Sequence, residues 1–252
     1  MEPILEVKNL KKTFGQTGRG ELEAVRGISF RLYPGESLGI VGESGCGKST
    51  VARLITRLID VTEGNIFLKG EDITRADGRR LREVYRSIQM VFQSPVESFD
   101  PRRTLGDAVG ESLRNAGMPV RETQQRTAEL LEECGLPAAF ARRYPHEVSA
   151  GQYQRAAIAR AIAIQPEILL CDEATSALDV SVQQQIVELL QRLRRRQGMA
   201  YLFISHDLAL VQQLCERILV MHQGVIVEEG TAEQVIMAPK SAYTRQLLDS
   251  VL

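Results

Sequence analysis

Gly42-Glu43-Ser44-Gly45-Cys46-Gly47-Lys48-Ser49, followed by Thr50, places glycines, a lysine and a hydroxyl at the spacing of a phosphate-binding loop. Glycines let the main chain wrap an anion without Cβ clashes, and a following helix N-terminus adds positive potential. Lys48 can reach β and γ phosphates, and the Ser49 hydroxyl can hold Mg²⁺. A strand-like run, Ser37 to Val41, precedes the loop and a helix-like run, Thr50 to Leu58, comes after it, which is the context the chemistry requires. Cys46 sits within the loop beside Lys48, conditions that lower a thiol pKa and favour alkylation, although a small residue filling the loop is the plainer role.

Three later segments add what hydrolysis needs. The apolar run Ile168 to Cys171 ends in Asp172 and is followed by Glu173, a Walker B layout. Asp172 would orient the Mg²⁺ shell, and Glu173 could accept a proton from an attacking water. The competing reading is that the two acids cap the next helix. His206 comes after the apolar run Tyr201 to Ile204, and Gln93 after Ile88 to Phe92. In a parallel α/β sheet the carboxyl ends of strands gather at one ligand-binding edge, so both side chains would approach the γ-phosphate. The Gln93 amide oxygen could ligate Mg²⁺ or orient water.

These groups need a scaffold, and the chain supplies one. Leu5-Glu6-Val7 and Gly27 to Leu32 alternate as strands, and Gly64 to Leu68 and Ile88 to Phe92 are further candidates. From about 101 to 160 the pattern changes to helices over Thr104–Asn115, Arg121–Cys134 and Ser149–Ile164, separated by Gly- and Pro-containing breaks. The short apolar runs at 168–171 and 201–204 suit strands buried on both faces. Between them Val182, Ile186, Leu189, Leu190 and Leu193 recur at helical spacing. Arg192, Arg194, Arg195 and Arg196 near its end complement the helix dipole and stay solvated.

The 252 residues carry a formal net charge of −1, with 44% hydrophobic and 25% charged residues. No broad basic field is present, which argues against nucleic acid as a partner. No apolar run approaches a membrane span, and the first ten residues lack the layout of an export signal. Cys46, Cys134, Cys171 and Cys215 are widely separated, which suits free thiols in a reducing compartment better than a metal centre.

Taken in order, Gly42 to Ser49, Gln93, Val148-Ser149-Ala150-Gly151-Gln152, Asp172-Glu173, Ser176-Ala177-Leu178-Asp179 and His206 resemble the nucleotide-binding subunit of an ABC transporter over nearly the whole chain. The segment at 148–152 discriminates, because generic phosphate-loop enzymes lack it. The resemblance implies an α/β phosphate-loop core with a mixed sheet, an N-terminal antiparallel β subdomain and an inserted helical subdomain. One domain would span 1–252, with the core in 1–100 and 165–252 and the helical part in about 101–164. Two cassettes would meet head to tail, so that Ser149, Ala150, Gly151 and Gln152 cover the ATP held by the other's loop. Asp179 would lie between the cassettes and Phe14 would stack on adenine. Val148 and Ala150 depart from the usual Leu-Ser-Gly-Gly-Gln; alanine suits a helical backbone and clashes with a positive φ.

The stretches Ile88–Gln93, Phe99–Arg102, Tyr144–Glu147, Ser176–Gln185 and Ser241–Leu248 narrow the resemblance to importers of oligopeptides, dipeptides or nickel. The chain is similar to the second, shorter ATPase of such systems, since it ends soon after 248 without a Cys-rich extension. This implies ATP and Mg²⁺ as cofactors and a second ATPase subunit, in a heterodimer or a homodimer. It also implies two integral permease subunits, an indirectly linked extracytoplasmic solute-binding protein, and a peripheral position on the cytoplasmic face. Residues 94–104 would join nucleotide sensing to the membrane contact. A soluble ABC-type ATPase acting on nucleic acid, ribosomes or cofactor assembly is the alternative.

Overall fold

A computed structural model of the chain describes residues 1–16, 20–93, 98–175 and 178–249, without the side chain of residue 16. Ser176 and Ala177, which belong to the motif set, and the first four residues of the 94–104 connection lie outside the described residues.

The molecule is organised around strands with no polar face. β3 (Ser37–Val41), β7 (Ile168–Asp172) and β8 (Ala200–Ser205) are buried at every position. Their neighbours are β6 (Ile88–Val91), β9 (Arg217–His222) and β10 (Val225–Thr231), in the order β10-β9-β3-β8-β7-β6 among the described residues. Every pairing from β9 to β6 is parallel and β10 joins antiparallel, giving a mixed sheet. Alternate residues enter two different cores: Ile168, Leu170, Leu202 and Ile204 face one, and Leu169, Cys171, Tyr201 and Phe203 face the other. This two-sided burial explains why the strands read as continuous apolar runs.

On the first face packs a second, antiparallel sheet, ordered β2-β1-β4-β5 from β1 (Leu5–Gln16), β2 (Gly20–Leu32), β4 (Glu63–Leu68) and β5 (Glu71–Asp72). α1 (Lys48–Ile55) lies in the same core through Val51, Ala52, Leu54 and Ile55. On the other face lie α6 (Ala150–Ile162) and α7 (Val180–Gln197). α7 buries Ile186, Val187, Leu189, Leu190 and Leu193 and ends at Gly198, whose φ of 68° closes the helix.

Several boundaries differ from the expectations. α1 stops at Ile55 rather than Leu58, because the Thr56 hydroxyl donates to the Ala52 carbonyl at 2.9 Å and Arg57 adopts a φ of 57°. The helix expected over 104–115 divides at Gly110 into α3 (Leu105–Val109) and α4 (Glu111–Asn115). A Cβ at Gly110 would meet Thr123 Cγ2 at 2.8 Å, so α5 (Val120–Glu133) packs closely there. α2 (Gly78–Ser87) is unanticipated: its apolar stripe, Leu81, Val84 and Tyr85, is short and buries fully only Val84, among arginines and surface pairs such as Arg79–Glu83. The arginines near the end of α7 are not all merely solvated. Arg194 donates to the Gly35 carbonyl at 2.7 Å, and Arg192 to the Glu133 carbonyl at 2.9 Å. α8 (Leu208–Leu214), α9 (Ala232–Met237) and α10 (Ala242–Asp249) complete the chain.

Candidate nucleotide site

Register places the chemistry. Val41 pairs with Ser205, Asp172 with Ile204, and Val91 with Cys171, so β3, β8, β7 and β6 end nearly level. The phosphate loop, Glu173 and His206 come directly after three of these strands, and Gln93 two residues after the fourth, so they meet at one edge of the sheet.

The loop between β3 and α1 needs glycine at two positions in particular. Gly42 has φ 153°, and a Cβ there would lie 2.1 Å from the Met221 carbonyl oxygen. Gly47 has φ 107°, and its Cβ would lie 2.3 Å from the Ala24 carbonyl oxygen. Lys48 is only 4% exposed, and its Nζ donates to the Gly42 and Glu43 carbonyls at 2.7 and 2.8 Å. Glu43, Ser44 and Gly45 are exposed at the loop crest, while Ser49 and Thr50 are half-buried at the start of α1. Of the two readings of Cys46 the plainer one holds, and only the lowered thiol pKa is corrected: the residue is buried, and burial pushes its thiol pKa up despite the neighbouring Lys48 ammonium. It fills the loop interior.

Asp172 is 4% exposed and accepts a hydrogen bond from Ser49 Oγ at 3.0 Å. Burial raises its carboxyl above the usual aspartate range, with the Ser49 bond partly opposing. A buried carboxylate bonded to a hydroxyl offers two hard oxygen donors, which suits a small divalent cation with water and phosphate completing its shell.

Glu173 stands in the left-handed region, φ 47°, a conformation that costs about 1–3 kcal/mol for a residue with a Cβ and that clusters at active sites. Its N–H donates to the Ile204 carbonyl at 2.8 Å, fixing the backbone across β8. Gln93 Nε2 donates to Glu173 Oε2 at 2.8 Å, and His206 Nδ1 lies 3.4 Å from Oε1. His206 is exposed, whereas the Glu173 side chain is 11% exposed, so the carboxylate is reached chiefly from the open edge.

The remaining candidates are not drawn into this cluster. Ser149 caps α6: its Oγ accepts from the Gln152 N–H at 3.4 Å, and Gln152 Oε1 accepts from the Ser149 N–H at 3.0 Å. Ala150 opens α6 and is absent from the positive-φ residues, so alanine is compatible there. Gly151 abuts α7, where a Cβ would meet Val182 Cγ1 at 2.5 Å. Asp179 caps α7, accepting from the Val182 N–H at 3.1 Å and the Ser181 hydroxyl at 2.8 Å. Ser149, Ala150 and Asp179 are all exposed. Phe14 projects from β1, 37% exposed, with Lys12 Nζ 5.0 Å above its ring, so it is not a core phenylalanine.

Sequence reasoning missed the residues behind the loop. The Gly224 N–H donates to the Cys46 carbonyl at 3.0 Å, and the Glu43 N–H donates to Tyr243 Oη at 3.1 Å. These partners lie about 180 to 200 positions downstream, beyond the reach of any local pattern.

A phosphate loop between a buried parallel strand and a helix, with acidic, amide and imidazole groups at the same sheet edge, defines a phosphate-loop nucleoside-triphosphate hydrolase. Comparison with known proteins narrows the class. The ABC transporter family profile matches residues 25–176. The chain is 46% identical over 253 residues to the oligopeptide transport ATP-binding protein OppF of Bacillus subtilis (strain 168), covering 99% of this chain and 83% of that protein. It is 47% identical over 257 residues to the glutathione import ATP-binding protein GsiA of Escherichia coli (strain K12), covering 99% of this chain but 41% of the relative. The ATP-binding cassette MJ0796, in a dimeric post-hydrolysis state bound to ADP and Pi, superimposes with a TM-score of 0.83 at 31% identity, over 90% of this chain and 98% of that one. CbiO1 from Clostridium perfringens, part of the ABC transporter complex cbiONQ, gives 0.82 at 26% identity, over 94% and 92%. This chain belongs to the ABC transporter family. It is an ATP-binding, ATP-hydrolysing subunit that energises transport, on the ABC ATPase fold expected from its motifs.

Proposed function

We propose that this chain drives an importer of peptides or of nickel-type cargo from the cytoplasmic face of the membrane, as one of two cassettes beneath two permease subunits. A solute-binding protein outside the membrane would feed the complex indirectly. The similarity to OppF over most of both chains favours peptide cargo. No helix among the described residues is long and apolar enough to cross a membrane, which accords with a peripheral subunit. The chain acts as one domain, with its core in 1–100 and 165–252 and a helical subdomain in about 101–164.

The observation that carries the mechanism is the grip on Glu173: Gln93 and His206 both reach its carboxylate at the end of a buried strand. The amides of Gly42, Glu43, Ser44, Gly45, Cys46, Gly47, Lys48, Ser49 and Thr50 surround the phosphates, and Lys48 turns from its loop carbonyls toward them. Ser49, Asp172 and Gln93 would hold Mg²⁺, which when bound neutralises phosphate charge. Phe14 stacks on adenine. Glu173 takes the proton of a water as its oxygen bonds the γ phosphorus, and the bond to the ADP oxygen breaks. His206 holds the water and Glu173 in line.

Ser149, Ala150, Gly151 and Gln152, at the exposed start of α6, cover the ATP of the second cassette, with Asp179 between the two. ATP therefore closes the pair and its cleavage releases it. Residues 94–104, which follow Gln93, would join the nucleotide site to the permease, beside a cleft lined by Leu58, Tyr85, Gln89, Phe92, Ala108 and Ser112. Extraction of the intact complex in detergent tests the reading. Two integral membrane proteins should copurify and crosslink to cysteines placed at 98–104; recovery with ribosomes or DNA instead would overturn it.

A further inference from the structure

Three contacts hold the rear of the phosphate loop, all from the last part of the chain. The Met221 carbonyl leaves no room for a Cβ at Gly42, the Gly224 N–H binds the Cys46 carbonyl, and Tyr243 Oη accepts from the Glu43 N–H at 3.1 Å. The first two come from the β9–β10 hairpin. The third comes from the first turn of α10 and is the only one of the three made by a side chain.

We infer that Tyr243 is a positioning residue for nucleotide binding, setting the peptide between Gly42 and Glu43 through its hydroxyl. That peptide matters because its carbonyl, that of Gly42, together with the Glu43 carbonyl one peptide further on, holds Lys48 Nζ. A shift at Glu43 thus moves the lysine and the amides at once. Tyr243 is itself held on two sides. Its ring packs on His222 at the end of β9, with centroids 3.9 Å apart and planes at 35°. The chain leading into α10 is pinned by Glu228, whose two carboxylate oxygens accept from the Lys240 and Ser241 N–H groups at 2.9 Å each. Leu247 and Leu248 bury the far end of α10. The hydroxyl is therefore presented by a fixed element, as a group that preorganises a binding loop must be.

Glu173, Gln93 and His206 hang from other strands, so the effect falls on ground-state affinity and not on the chemical step. The inference rests on the phosphate-loop assignment, and its test separates the two. Tyr243→Phe removes the hydroxyl and keeps the ring on His222. One lost hydrogen bond corresponds to about a two- to tenfold change. ADP affinity, measured by calorimetric titration of the purified full chain, should fall by that factor. In the assembled transporter KM for ATP should rise equally, with kcat within about twofold. Leu247→Ala, in the same helix but away from the loop, should lower the melting temperature and leave ADP affinity unchanged.

Unchanged affinity in Tyr243→Phe beside a weakened Lys48→Ala overturns the positioning role alone, while unchanged affinity in both overturns the loop assignment beneath it. An equal loss in Leu247→Ala, or a fall in kcat at constant KM, overturns the role of the hydroxyl.

Discussion

Replacing Glu173 by glutamine should separate binding from hydrolysis, because the surroundings of this carboxylate accept an amide of the same shape. Gln93 Nε2 lies 2.8 Å from Oε2 and needs only an acceptor, which the new amide oxygen provides. The amide nitrogen would then face His206 Nδ1, 3.4 Å from the present Oε1, and can donate to it in the tautomer that carries its proton on Nε2. The left-handed backbone, φ 47°, is no more strained for glutamine than for glutamate, so folding should be unaffected. What disappears is the basic oxygen. General-base catalysis contributes about 10²–10⁴ in rate, or roughly 3–5 kcal/mol. Loss of a negative charge near the γ-phosphate can only favour ATP. Steady-state phosphate release from the reconstituted transporter should therefore drop by two to four orders of magnitude, while ATP binding holds or tightens and closed cassette pairs accumulate. Phosphate release within about threefold of the parent, in a variant that binds ATP normally, would refute the assignment of the base.

Lys48→Ala should weaken nucleotide binding by an order of magnitude or more, since it deletes a charge at the phosphates and leaves the Gly42 and Glu43 carbonyls without their shared donor; titration with a fluorescent ADP analogue measures it. Gly47→Ala drives a methyl against the Ala24 carbonyl at φ 107°, so nucleotide affinity and the melting temperature should both fall, by about 1–3 kcal/mol in stability. Asp172→Asn should abolish the dependence of ATP affinity on magnesium yet stabilise the nucleotide-free chain at neutral pH. Burial raises this carboxyl, so the folded state binds its proton more tightly than the unfolded one. That contribution is greatest in acid and is lost as pH rises from the usual aspartate range through the raised folded value. Melting curves at several pH values should show the variant gaining on the parent as pH rises; a gap independent of pH would count against the buried, raised carboxyl.

Much of this protein is written locally. The phosphate loop is legible because Gly42, Gly47, Lys48 and Ser49 act through backbone freedom and charge within eight residues. The central strands are legible because burial on both faces demands unbroken apolar runs, and α7 because its buried stripe recurs at helical spacing. α2 was harder to see, since its stripe of Leu81, Val84 and Tyr85 is only three residues long and is set among arginines and glutamate. Gly110 hid a break because its reason is the side chain of Thr123 on another helix.

Residue types and their order determined the nucleotide chemistry, since amides, a lysine and a hydroxyl bind phosphate wherever a turn of this length presents them. Only the tertiary structure decided how the parts meet. Pairing of Asp172 with Ile204 and of Val91 with Cys171 brings Glu173, His206 and Gln93 together from three strands. Burial, which depends on the whole packed chain, made Cys46 an inert filler and Asp172 a raised acid, against the local influence of Lys48. Contacts across some 200 residues, such as Glu43 with Tyr243, leave no periodic trace, because they require two surfaces to coincide in space and not any spacing along the chain.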